Sequence, residues 1–161
     1  MSLSRIIIDY KNAIRARTMD VLKKVPEDKL NWRPTPEVLS LGQLIHHIGQ
    51  ADMAWTKVLS GDWELEPFLN LRRNMDLLEV IGEVESLAEE REGLEITHEE
   101  LLKWIAAQSD EELEKVYEGA GRKVTGREII LGLCEHESHH RGQIVTYLRL
   151  LNVADPQPWG F

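Results

Sequence analysis

Residues 125–151 read TGREIILGLCEHESHHRGQIVTYLRLL, and this stretch decides the fold. Thr125 and Glu128 stand at the spacing of a capping box, in which hydroxyl and carboxylate satisfy the first free amides of a helix. The spacing predicts a helix from there to about Leu151, before Asn152 and a proline-containing tail. With His136 set at zero and about 100° per residue, Ile129, Leu133, His140, Ile144, Tyr147 and Leu151 fall in one apolar sector. Glu135, Arg141 and Arg149 fall outside it. His136 and His140 therefore lie one above the other inside the apolar stripe, at i and i+4.

A second capping pattern, Ser40 with Gln43, opens a helix that runs to about Leu59. On it His47 shares the inward face with Leu44, Ala51, Ala54, Trp55 and Val58. His46, about 100° away on the same wheel, faces outward. Two helices thus send His47, His136 and His140 into the interior. Buried polar groups without partners cost a few kcal/mol each, and neutral imidazole is the commonest metal ligand. Three such ligands leave positions open for water or substrate. The plainer alternative is a set of hydrogen-bonded core histidines. His98 falls on a possible inward line with Leu94, Leu101 and Ile105; His46 and His139 read as solvated surface. Cys134, about 160° from His136 on the wheel, is not placed to ligate.

Two further amphipathic segments complete the frame. Residues 4–25 carry an apolar stripe ended by Pro26, and residues 68–107 are charged and helical. Gly82, Gly93 and a Thr97/Glu100 box leave open whether one long helix or two shorter ones occupy the latter. Pro34 and Pro36 mark a connector, and Ser109 with Glu112 marks a short extra helix. Strand signals are weak, with no Asn-Gly turn and no sustained alternation. The expectation is an all-α four-helix bundle, one domain over 1–161, with a short extra helix or helices between the second and fourth main ones.

Composition narrows the function. The chain has 161 residues, net charge −9, 42% hydrophobic residues and one cysteine. That suits a core without disulfide staples and a reducing compartment. Excess acid argues against nucleic acid, whose binders need a basic stripe. No long apolar run or secretory segment is apparent, so the expected setting is the cytoplasm. His136–His140 matches H-E-x-x-H, the zinc-protease pattern in which Glu137 would activate water. The extension is missing, however: Gln143 and Thr146 stand where Gly and His are wanted. Phosphate-binding glycine loops, nucleophile elbows and paired Glu-x-x-His di-iron motifs are also absent. The tryptophans, Trp159 included, read as packing, with Trp55 placed to wall a pocket near His47.

The strings PEVLSLGQLIHHIGQADMAW and LCEHESHHRGQIVTYLRLLNV resemble the two motif regions of the DinB-like (DinB/YfiT) superfamily. LKKVPEDKLNWRPTP and SDEELEKVYE resemble its lead-in and the segment before its last helix. The resemblance implies a four-helix bundle, often a homodimer, holding one divalent metal through His47, His136 and His140. It implies an activity such as thiol-dependent transfer or isomerisation with a low-molecular-weight thiol on a small-molecule substrate; three imidazoles suit zinc, nickel or iron, and the open site suits hydrolysis as well. The donor set does not choose among these metals. A non-catalytic metal-pinned bundle, a dimerisation module and a metal-free apolar binder are the competing readings. Near the last ligand, Gln143 is placed either to orient a histidine ring through its second nitrogen or to lie as a plain helix-edge amide. Gly142 costs helix stability of about 1 kcal/mol and suggests a close approach by a facing helix or a partner chain. The roles of His98, Glu137 and His139 stay open.

Overall fold

A computed structural model of the chain describes residues 2–153; the tail and Trp159 lie outside them. Four long helices make the body: α1 (Leu3–Leu22), α2 (Leu41–Ser60), α5 (Leu87–Ala106) and α7 (Gly126–Leu150). Shorter elements fill the connections: a 3-10 turn at Glu27–Lys29, α3 (Leu65–Asn74), α4 (Leu77–Ile81) and α6 (Asp110–Leu113). α1 and α2 are each flanked by α5 and α7, and the α2–α5 packing is the most extensive. This is the expected all-α bundle with short extra helices between the second and fourth main ones.

Helix starts follow local chemistry. The capping boxes at Ser40/Gln43, Ser109/Glu112 and Thr125/Glu128 all form. The Thr97/Glu100 box does not. Ser86 caps α5 instead, and the Thr97 hydroxyl donates back to the Gly93 and Leu94 carbonyls. Threonine inside a helix has this alternative use, so one unbroken helix crosses the region. Gly82, at φ 68°, does end α4.

The structure adds a hairpin that alternation did not announce. Strands β1 (Val116–Gly119) and β2 (Arg122–Thr125) pair antiparallel, with Gly119 opposite Arg122. Ala120 (φ 50°) and Gly121 (φ 75°) make the two-residue turn, and positive φ at both central positions suits the twist of a tight hairpin. The Tyr117 hydroxyl donates to the Leu59 carbonyl, tying the hairpin to the end of α2.

Two large apolar clusters with a charged layer between them make most of the core, and a smaller third one joins Ala54 and Val58 of α2 to Leu65 and Phe68 of α3. Of the large two, one holds Leu22, Leu41, Ile45, Ile48, Leu94 and Leu148; the other holds Ile7, Leu101, Ile105, Leu113, Ile130 and Leu133. Between them Lys11 and Arg15 of α1 meet Asp52 of α2 and Glu137 of α7. Lys11 Nζ donates to Asp52 (3.0 Å) and Glu137 (2.8 Å). Arg15 donates from Nε to Glu137 (2.9 Å), from Nη2 to Asp52 (2.8 Å), and from Nη1 to the Leu94 carbonyl of α5 (2.8 Å). Two positive and two negative charges, all buried, thus link four helices. Burial alone would raise the Glu137 pKa, but Lys11 and Arg15 outweigh it and hold it at about 2. At Asp52 burial prevails and raises the pKa against the same two cations.

Candidate metal centre

The middle turns of α2 and α7 bring His47, His136 and His140 together. His136 Nε2 lies 3.1 Å from His47 Nε2 and 3.0 Å from His140 Nε2. One nitrogen from each ring lies within 4.8 Å of the other two. All three rings are half-buried. The i, i+4 spacing on α7 stacks two of them, and the α2–α7 packing supplies the third.

Electrostatics keep these rings unprotonated. Burial, then the charge His140 would carry, then Arg72 push His47 down to about 4. Burial, followed by the two neighbouring histidines, pushes His136 to about 3. His140 is lowered too, chiefly by burial, against an opposing hydrogen bond from Gln143. His140 Nδ1 lies 2.7 Å from Gln143 Oε1. An amide oxygen only accepts, so Nδ1 carries the hydrogen and the Nε2 lone pair faces the cluster. Of the two placements open to Gln143, the one that orients a ring is the one it has.

These observations test the fit of a cation. His136 Nε2 faces two other ring nitrogens, and a single shared proton cannot serve both contacts well. Neutral rings therefore leave lone pairs directed at one another, an arrangement a cation relieves. Two nitrogens each about 2.1 Å from one ion stand roughly 3.0–3.4 Å apart for angles between right and tetrahedral. The His136 contacts fall at the short end of that range, so the residues present fit a divalent ion.

The remaining sequence candidates go elsewhere. His46 Nδ1 lies 3.1 Å from Glu90, whose carboxylate raises its pKa. His98 is buried on the opposite flank, its Nε2 2.9 Å from Asn12 Oδ1. His139 is exposed, with its ring 5.0 Å from that of His140. Cys134 is buried and its thiol is pushed up to about 11 by desolvation, so it stays protonated. Glu137 is committed to Lys11 and Arg15, which removes the water-activating glutamate from the H-E-x-x-H reading. Among the described residues Gly142 has no neighbour within 4 Å of where a Cβ would stand, so no facing helix described here explains it.

A cavity of about 330 Å³ adjoins the cluster, with His47 and His136 in its wall. Trp55 lines it, as its position on α2 suggested, with Phe68 of α3 and Leu133 of α7. Arg72, near the end of α3, also lines it and was not foreseen. Nothing in the periodicity of residues 61–80 ties that short helix to the histidines. The charged layer was more accessible: Lys11 and Arg15 continue the spacing of Ile7, Ile14, Thr18 and Leu22 along the inner stripe of α1.

The protein resembles others of known sequence and structure. It is 26% identical over 150 residues to the uncharacterized protein YjoA of Bacillus subtilis, covering 92% of this chain and 91% of that one. It is 25% identical over 148 residues to the uncharacterized protein YuaE of the same organism, covering 83% and 91%. The crystal structure of the DinB-like protein YjoA superposes with a TM-score of 0.72 at 21% identity, over 95% of this chain and 96% of that one. A DinB-like protein from Bacillus cereus superposes with a TM-score of 0.73 at 16% identity, over 94% of each chain. These two likenesses speak to the fold. The sequence pattern of the DinB superfamily matches residues 12–144, a span that contains Arg15, Asp52 and Glu137 of the charged layer and all three converging histidines, and the chain belongs to that superfamily.

Proposed function

We propose that the protein binds one divalent metal ion through His47, His136 and His140 and acts as a metal-dependent enzyme on a small molecule held in the adjoining cavity. The observation that carries the reading is the convergence of three half-buried imidazoles whose Nε2 atoms face one another. When bound, the ion would supply Lewis-acid activation of a water or thiol, drawing its pKa toward neutrality.

The chain's own groups have separable tasks. Gln143 holds His140 in the tautomer that presents Nε2. Burial keeps the rings neutral, so protons compete weakly for the donor nitrogens near pH 7. The apolar wall formed by Trp55, Phe68 and Leu133 excludes water from one side of the cluster. Three protein ligands leave the ion open to substrate, which favours transfer or hydrolysis over a purely structural ion. The likeness of the motif regions to the DinB-like superfamily makes a low-molecular-weight thiol a suitable co-substrate.

The test is metal analysis of the purified chain and of His47→Ala. The reading expects about one divalent ion per chain, lost in the variant while the helical signal persists. Full metal content in His47→Ala overturns it. Turnover is then sought with a panel of thiols and electrophiles on the loaded protein.

A further inference from the structure

The cavity beside the histidines has a charge pattern of its own. Its wall is mostly apolar, and Arg72 is the one cationic side chain among the described residues that line it, apart from the imidazoles. Among the described residues no ion pair or hydrogen bond holds Arg72. The acid nearest in role, Glu128, also lines the cavity, but its Oε2 accepts from the Thr125 backbone amide at 2.7 Å and from the Thr125 hydroxyl at 3.1 Å. The cap thus engages Oε2 of that carboxylate, and among the described residues no acid pairs with the guanidinium. Arg72 and Arg73 both sit in the last turn of α3, where positive charge suits the helix dipole. That role does not require Arg72 to face the cavity. Its charge is also felt by His47, His136 and His140.

A second observation concerns room. Gly132 lines the cavity from the middle of α7, and a Cβ built there meets nothing within 4 Å. Glycine weakens a helix interior, and among the described residues no close packing requires it here. What its missing side chain does is keep space open beside Leu133 and His136. A volume of about 330 Å³ is at the small end of ligand pockets, roughly 300–1,000 Å³. The walls, Trp55 and Phe68 edge to face with centroids 4.9 Å apart, suit a ring or short chain.

We propose that this cavity binds a small carboxylic acid with an apolar, ring-sized body: the carboxylate lies against Arg72 and the body packs on Trp55, Phe68 and Leu133, beside His47 and His136. A guanidinium matches a carboxylate in planar, two-pronged fashion. A single cation suits one negative charge better than the two of a phosphate monoester. The inference deepens the metal-enzyme reading by naming its substrate class and rests on that reading for its catalytic use, though the binding preference does not need the ion.

The experiment is titration calorimetry on the full-length purified protein with naphthalene-2-carboxylate and, as neutral match, 2-naphthalenemethanol. Metal content is measured in parallel, and the titrations are repeated after chelation. The acid should bind about tenfold tighter than the alcohol in both states, the range of one charge-assisted hydrogen bond. Arg72→Gln, an exposed change with no structural partner, should erase that ratio and leave alcohol affinity unchanged. Gly132→Phe should weaken both ligands several-fold. Equal affinities in the unaltered protein overturn the proposal, as does a preference that survives Arg72→Gln. A preference seen only with metal present and indifferent to Arg72 puts the carboxylate on the ion and also overturns it. Absence of metal together with an Arg72-dependent preference sinks the metal reading while this one stands.

Discussion

His136 and Glu137 are neighbours in the chain but belong to two polar clusters of opposite character. Glu137 joins Lys11, Arg15 and Asp52 in a layer where charges cancel and each side chain has partners at 2.8–3.0 Å. Its members come from α1, α2 and α7, and Arg15 also holds an α5 carbonyl. His136 joins two rings whose nitrogens face one another without satisfying one another, at the wall of a cavity. A buried polar group is expensive unless paired. The paired cluster is therefore complete as it stands, and the convergent one aims three donor nitrogens at one another. The first fixes how helices meet; the second is where chemistry has room.

Substitutions should separate the two. The largest effect is expected from His136→Ala, which removes the central donor: bound metal should fall from about one per chain to near zero, read by elemental analysis, with the charged layer and fold intact. Retention of the ion would break the contrast. Glu137→Gln, one residue away, should do the reverse. Removing one partner of a buried ion pair costs about 3–5 kcal/mol, so urea unfolding should shift markedly while metal content stays. A smaller effect is expected at Gln143→Leu. Loss of a hydrogen bond to a ligating histidine weakens metal affinity about 10–100-fold, measurable by competition with a chromophoric chelator.

Acid should sharpen the same division. In the metal-free protein His47, His98 and His136 have pKa values pushed down to about 4, 4 and 3 from 6.5. Between those values the unfolded chain takes up protons that the folded one refuses. Stability therefore falls as pH drops through 6.5 and the loss levels off below about 3–4. Glu137, lowered from 4.5 to about 2, stabilises the fold above 4.5, and that contribution disappears only as pH falls toward 2. Urea midpoints across pH should show the histidine loss first, and His98→Gln should lessen the slope between 6.5 and 4. A flat profile over that interval would contradict the burial of these rings.

Much of this was legible in sequence because helical periodicity is strong and capping chemistry local. Ser40/Gln43 and Thr125/Glu128 marked the two helices that bring the three histidines together, and the wheel separated His47 from His46. The Thr97 box misled because a hydroxyl inside a helix can bond backward as readily as it caps. The hairpin escaped because its turn is Ala120–Gly121 rather than Asn-Gly, and its strands are four residues each. Arg72 escaped for a different reason. Its place at the cavity depends on how α3 packs against β1 and α2, a long-range outcome that no local spacing encodes.

Gln43 carries a consequence for the entrance of the cavity. Its oxygen caps α2, while its nitrogen donates to the carbonyls of Leu78 (3.3 Å) and Gly82 (2.7 Å) in and after α4. The helix that bears His47 and the segment beside Leu77 and Met75, which rim the cavity, are thereby strapped together. Gln43→Glu keeps the acceptor and turns the strap into a repulsion between oxygens. Ligand release, timed by stopped-flow, should quicken without any alteration to the groups that touch the ligand: traffic through the doorway is set by a hinge pin well outside the room.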